Sequence, residues 1–180
     1  MNIIKLSEEQ LREFFMPELL SRAEGSIGQI TDCIIKDGRL HGCIKGNHGI
    51  YSIELEVSPK IHAKCSCKKG SEGNLCKHSA ALGLTYIYTP WYFKCKDNID
   101  RNLLKNTDDI AFYIAVTPLK QLLSELRDRN INASSVSDIT RLPLQQIFAA
   151  VKDDDNNIPH LNVEMCKIAC MYLLDKGVEQ

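Results

Sequence analysis

Four residues between positions 65 and 78 have the types and the spacing to hold a metal ion: Cys65, Cys67, Cys76 and His78. They read as C-x-C, an eight-residue gap, then C-x-H. Three thiolates and one imidazole make a complete tetrahedral shell for Zn²⁺. Cys65 and Cys67 fall at an expected strand end, where residues two apart leave the same face. Zn–S bonds of about 2.3 Å require the two sulfurs to lie about 3.8 Å apart, which that arrangement allows. Cys76 and His78 open a predicted helix, whose free N–H groups and dipole favour thiolate charge. Gly70 and Gly73 let the intervening loop fold back. The competing reading is a cysteine-rich core of four unrelated residues. A C-x-C pair set among Lys, Ser and Gly is poor core sequence, so the metal reading is preferred. Protein atoms would fill all four coordination positions, leaving none for water or substrate, so the zinc would be structural rather than catalytic.

Lys60, Lys64, Lys68, Lys69 and Lys77 surround these ligands, with Glu72 as the one acid in the stretch. They form a candidate phosphate-binding rim. The alternative is that they solvate the loop and offset the formal −1 charge of a Zn(Cys)₃His site. Lys94 and Lys96, beside Trp91 and Tyr92, would extend such a rim by charge and stacking, or the aromatics would simply anchor a helix end.

The elements that must position these residues follow from periodicity. Ser7 and Gln10 fit a capping box ahead of an apolar stripe at Leu11, Phe14, Phe15 and Leu19, with a kink or a new helix at Pro17. Four β-rich runs follow, Ile27–Ile35, Arg39–Lys45, Ile50–Val57 and Ile61–Cys67. Turns are expected at Asp37-Gly38, Asn47-His48-Gly49 and Ser58-Pro59-Lys60. In the third run Tyr51, Ile53, Leu55 and Val57 alternate with polar residues, the pattern of an antiparallel sheet with one buried face. A helix after Cys76 stops before Pro90, and residues 97–109 look like a polar connector. Beyond it the chain reads as helices: one after Thr117-Pro118, Ser135–Arg141, Leu144–Lys152, and Asn162–Lys176 closing at Gly177. The expected class is therefore α+β. A four-stranded antiparallel sheet with a metal-bound strand–loop–helix fills residues 1–96, and a helical subdomain fills 97–180.

The metal motif and its surroundings resemble the SWIM-type zinc finger, in its stand-alone prokaryotic form. The likeness rests on Gly28-Gln29-Ile30, Asp37-Gly38, Gly46, Tyr51, Cys65-Ser66-Cys67 and Cys76-Lys77-His78-Ser79-Ala80-Ala81, and continues through Leu84 to the Pro90–Phe93 aromatic segment. Arg22-Ala23-Glu24-Gly25 departs from the "R-G" that such proteins carry before the first strand. The resemblance spans about residues 7–95. It implies zinc binding, with nucleic acid or a larger DNA-processing protein as the partner.

Residues 134–152 are faintly similar to phage-repressor helix–turn–helix units. Gln145 and Gln146 would be placed to read adenine edges, though Arg141 and Thr140 depart from the usual turn. The remaining composition bounds the function. At 44% hydrophobic and 25% charged the chain can build a core. No apolar run reaches the ~18 residues that suggest a membrane span. The N-terminus lacks the pattern of a secretory signal, so eight cysteines point to a reducing cytoplasm. Residues 1–96 carry 13 Lys and Arg against 10 acids, and residues 97–180 carry 9 against 13, so phosphate should meet the first part. There is no phosphate-binding loop, nucleophile elbow or carboxylate pair, and a non-enzymatic protein without a small-molecule substrate is expected. Three functions remain: a nucleic-acid-binding accessory protein, an adaptor whose helical half docks a larger enzyme, and a sequence-specific DNA binder.

Overall fold

Ser7 starts the first helix by the mechanism its spacing implies. Its hydroxyl accepts from the Gln10 N–H while the Gln10 side chain accepts from the Ser7 N–H, so α1 (Glu8–Phe14) begins with a full capping box. Pro17 starts a second helix, α2 (Pro17–Glu24), at the position where its missing N–H costs nothing. The computed structural model describes residues 4–57, 60–97, 99–152 and 160–176. The turn expected at Ser58-Pro59, the acidic tract Asp153–Asn157 and the stop at Gly177 lie outside the described residues.

The four expected strands form an antiparallel meander: β1 (Ile30–Lys36), β2 (Arg39–Gly46), β3 (Gly49–Glu56) and β4 (His62–Cys65). The sheet itself is neither four-stranded nor purely antiparallel. A two-residue strand, β5 (Lys94–Cys95), adds in parallel to β1, for the order β4-β3-β2-β1-β5. So short a strand has no period to read. Its position is set by Asp97, whose carboxylate accepts from the backbone N–H groups of Asp37 (2.9 Å) and Gly38 (3.1 Å) at the β1–β2 turn. A bulge between Thr31 and Ile34, with Asp32 at φ 52°, turns Ile30, Cys33 and Ile35 all inward and breaks the alternation of β1.

After β4 come a single turn, α3 (Lys68–Ser71), and the central helix α4 (Lys77–Tyr88). Ser79 through Tyr86 are all buried, because α4 packs on the inner face of β2 and β3 and also against α1 and α2. Leu11, Leu40, Leu55 and Leu82 are fully buried in this layer. Each such side chain contributes roughly 1.5–3 kcal/mol, so the helix that carries Cys76 and His78 is held firmly against the strand that carries Cys65.

The supposed connector is tied in. It holds a 3₁₀ turn (Arg101–Leu103) and leads into α5 (Thr107–Val116), which the sequence reading missed. Asp109 pairs with Lys5 (3.0 Å) and accepts from the Lys105 N–H (3.1 Å), while Phe112 stacks edge-on against Tyr86 of α4. Two compact units meet in sequence between Val116 and Thr117. Counted on that boundary the formal charges are only +1 and −2, so the contrast between the halves largely disappears.

The second unit contains α6 (Leu119–Asp128), α7 (Ala133–Thr140), α8 (Leu144–Lys152) and α9 (His160–Lys176). Leu122, Leu126, Val136, Ile147, Cys170 and Leu174 are its core. Cys166 and Cys170, one turn apart on α9, are part of this packing, and burial pushes both thiols up, Cys170 to about 12.

Candidate metal centre

Three short stretches converge on one point at the end of the sheet. Cys65 ends β4 opposite Ile53 of β3. Ser66 continues the pairing, donating its N–H to Ser52 O (3.0 Å) and accepting from the Ser52 N–H at Oγ (2.9 Å). That clamp keeps the chain extended through Cys67, so both thiols leave the same side. Cys67 caps α3, and its Sγ accepts from the Gly70 N–H at 3.4 Å. A β-carbon on Gly70 would fall 2.1 Å from the Cys65 carbonyl oxygen, so only glycine permits this tight return. Cys76 is the N-cap of α4, and His78 sits in its first turn.

The side chains meet as their spacing implies. The sulfurs of Cys65, Cys67 and Cys76 and a ring nitrogen of His78 all lie within 4.8 Å of one another. Cys65 Sγ is 3.9 Å from His78 Nδ1, and Cys76 Sγ is 3.4 Å from Ser79 Oγ. The three thiols are buried and His78 is half-buried. Hydrogen bonding from the Cys65 thiol, with the Ser79 hydroxyl and N–H behind it, holds Cys76 well below the usual thiol range, and the same bond pushes Cys65 up. The direction favours the thiolate at Cys76, the form that binds metal. Four donors around one zinc need separations of about 3.8 Å, and the cluster matches that to within about an ångström. These four residues could hold a metal ion, and among the described residues no other group of Cys, His and acids does so.

The lysines separate into two sets. Lys68, Lys69 and Lys77 line a cleft of about 290 Å³ that opens beside Cys67, Cys76 and His78. Arg22 of α2 and Tyr51 of β3 complete its wall. None of its four cations has an ion-pair partner among the described residues. Lys64 does not line the cleft: it pairs with Glu54 across the strand register at 3.5 Å. Lys60 is exposed and likewise outside the cleft lining. Trp91 and Tyr92 follow the far end of α4, about 15 Å along the helix from His78 at 1.5 Å per residue, so they do not extend this rim. Arg22 is not legible as a site residue in the sequence, because α2 approaches the Cys/His cluster only through its packing on α4. Its one sequence signal was its place in the segment that departs from the SWIM pattern.

Comparisons of the chain with protein-family models, with curated proteins and with solved structures give no match. No helix among the described residues is long and apolar enough to cross a membrane.

Proposed function

We propose that the chain is a non-enzymatic, SWIM-type zinc protein that binds nucleic acid through the cationic cleft beside its metal. Cys65, Cys67, Cys76 and His78 would hold Zn²⁺, which supplies a structural cross-link between β4, α3 and α4. Zinc suits the donor set, since three thiolates and an imidazole favour a borderline-soft ion without a geometric demand of its own. The observation that carries the nucleic-acid reading is the charge balance at the cleft. A Zn(Cys)₃His site has a formal charge of −1, whereas Arg22, Lys68, Lys69 and Lys77 bring four positive charges without acidic partners. Offsetting the metal site uses one of them, and the excess is a site for phosphate. Fluorescence anisotropy with labelled DNA and RNA tests this: log K should fall with log salt at a slope of about −3 to −4. Salt-independent binding, or none at low salt, would refute it.

A second reading, an adaptor for a larger DNA-processing protein, has its own support in the second unit. Leu161, Met165, Ile168 and Tyr172 recur at spacings of four, three and four along α9 and are 66%, 38%, 55% and 54% exposed. Such a stripe is the helical half of a groove-and-helix interface. If it docks a partner, Ile168→Glu with Tyr172→Glu abolishes that association and leaves nucleic-acid affinity unchanged.

A further inference from the structure

The cleft beside the metal continues past it. A second cleft of about 200 Å³ shares Tyr51, Lys77 and His78 with the first and extends to Gln29, Lys45, Asn47 and His48. Neither lining contains an acid. Lys45 also has no ion-pair partner among the described residues, which brings the cations along the two clefts to Arg22, Lys45, Lys68, Lys69 and Lys77. The wall between the clefts is aromatic and fixed from three sides. The Tyr51 ring lies over Gly46, where a β-carbon would fall 2.0 Å from it. Its hydroxyl accepts from the His48 N–H at 3.3 Å, and its ring is 5.2 Å from that of His78, one of the four metal-site residues.

Resting on the nucleic-acid reading above, we infer that the ligand is a single strand crossing both clefts, with a base against Tyr51 and its backbone along the five cations. Two concavities of nucleotide size, separated by one aromatic ring, suit consecutive unstacked nucleotides. A duplex keeps its base faces stacked inside and presents phosphate rails and groove edges, neither of which uses an aromatic platform between two concavities. Every base has a π-face, so a lone aromatic platform makes the site tolerant of sequence, and the side-chain amides of Gln29 and Asn47 add adaptable contacts. The strand chemistry is common to DNA and RNA, and the sugar is read by comparing the two.

The test uses the full metal-loaded chain with labelled DNA and RNA strands of about 12 nucleotides, and a duplex of the same sequence, at about 50 and about 200 mM salt. At least one single strand should bind about tenfold more tightly than the duplex, with a log–log salt slope near −3.5 for five neutralised phosphates. Tyr51→Leu should weaken the single strand by roughly 5- to 150-fold and the duplex hardly at all, while Tyr51→Phe retains affinity. Zinc content is measured for each variant. Should Tyr51→Leu disturb the metal, Lys45→Glu decides instead, since Lys45 is not one of the four ligand residues and its reversal should weaken the single strand severalfold. Duplex binding as tight as single-strand binding, or no effect of Lys45→Glu, overturns the inference while leaving the nucleic-acid reading intact. Failure of every strand and of the duplex to bind refutes that reading itself.

Discussion

Lys64 and Cys65 are neighbours in sequence and belong to opposite faces of the same sheet. On the outer face Lys64 stands across from Glu54, which also takes Arg39 (3.4 Å), and Arg39 in turn reaches Glu56 (3.2 Å). Arg39 and Lys64 each meet an acid because strand register brings alternate residues of β2, β3 and β4 into one row. On the side of Cys65 the charges come from α2, α3 and the start of α4, and no strand register supplies acids to meet them. Lysine number alone says nothing about phosphate binding. What matters is whether the fold delivers a carboxylate to a given lysine: it does so for Lys64 and not for Lys68, Lys69 or Lys77.

The largest effect expected from breaking this contrast comes from the metal. Replacing Cys76 or Cys65 by Ser should take the chain from about one zinc to none, removing an interaction worth an apparent ~10–16 kcal/mol in small zinc modules. Elemental analysis reads the loss. Thermal unfolding should show the second unit unchanged, since its core holds none of the ligands. Next comes Gly70→Ala, which places a methyl group on the Cys65 carbonyl. The obstacle is backbone rather than a flexible side chain, so the loop must open. A stability loss of about 1–3 kcal/mol, together with faster zinc loss to a chelator, is expected.

Much of this arrangement was legible in the sequence. The ligand spacing, the capping box at Ser7 and the four meander strands all follow from local rules, and the structure contains them. What escaped depends on contacts between distant segments. Strand β5 is held by the Asp97 carboxylate on a turn sixty residues upstream, as in the Asp97–Asp37 pair. Arg22 reaches the cleft only because α2 packs on α4. Helix α5 joins the first compact unit through the Lys5–Asp109 and Tyr86–Phe112 contacts. At the α7–α8 turn, the departures from a helix–turn–helix are satisfied locally. Arg141 takes the left-handed conformation (φ 61°) that a glycine usually fills, and the Thr140 hydroxyl donates to Val136 O at 2.8 Å.

Charge reversal sharpens the comparison of the two faces more finely. Lys68→Glu with Lys69→Glu should weaken nucleic-acid binding for all sequences and flatten the salt dependence by about two units of slope on duplex. Lys64→Glu, on the acid-matched face, should change neither, and anisotropy titrations of the two variants compare them directly. The smallest effect lies away from both faces. The Lys105 N–H and the Lys5 ammonium hold the Asp109 carboxyl below its ordinary value. Its stabilisation is therefore complete above the unfolded-state pKa of about 3.9 and fades as the pH falls below it. Asp109→Asn should lower the melting temperature modestly at pH 7, and by less at pH 3.

Both the cleft and its charge excess are built around the ligand shell of Cys65, Cys67, Cys76 and His78. Zinc K-edge X-ray absorption on the purified chain reads that shell directly. Three sulfurs at about 2.3 Å and one nitrogen at about 2.0 Å around a single zinc are predicted. A four-sulfur shell would mean that another cysteine displaces His78, and oxygen ligands or the absence of zinc would contradict the site altogether.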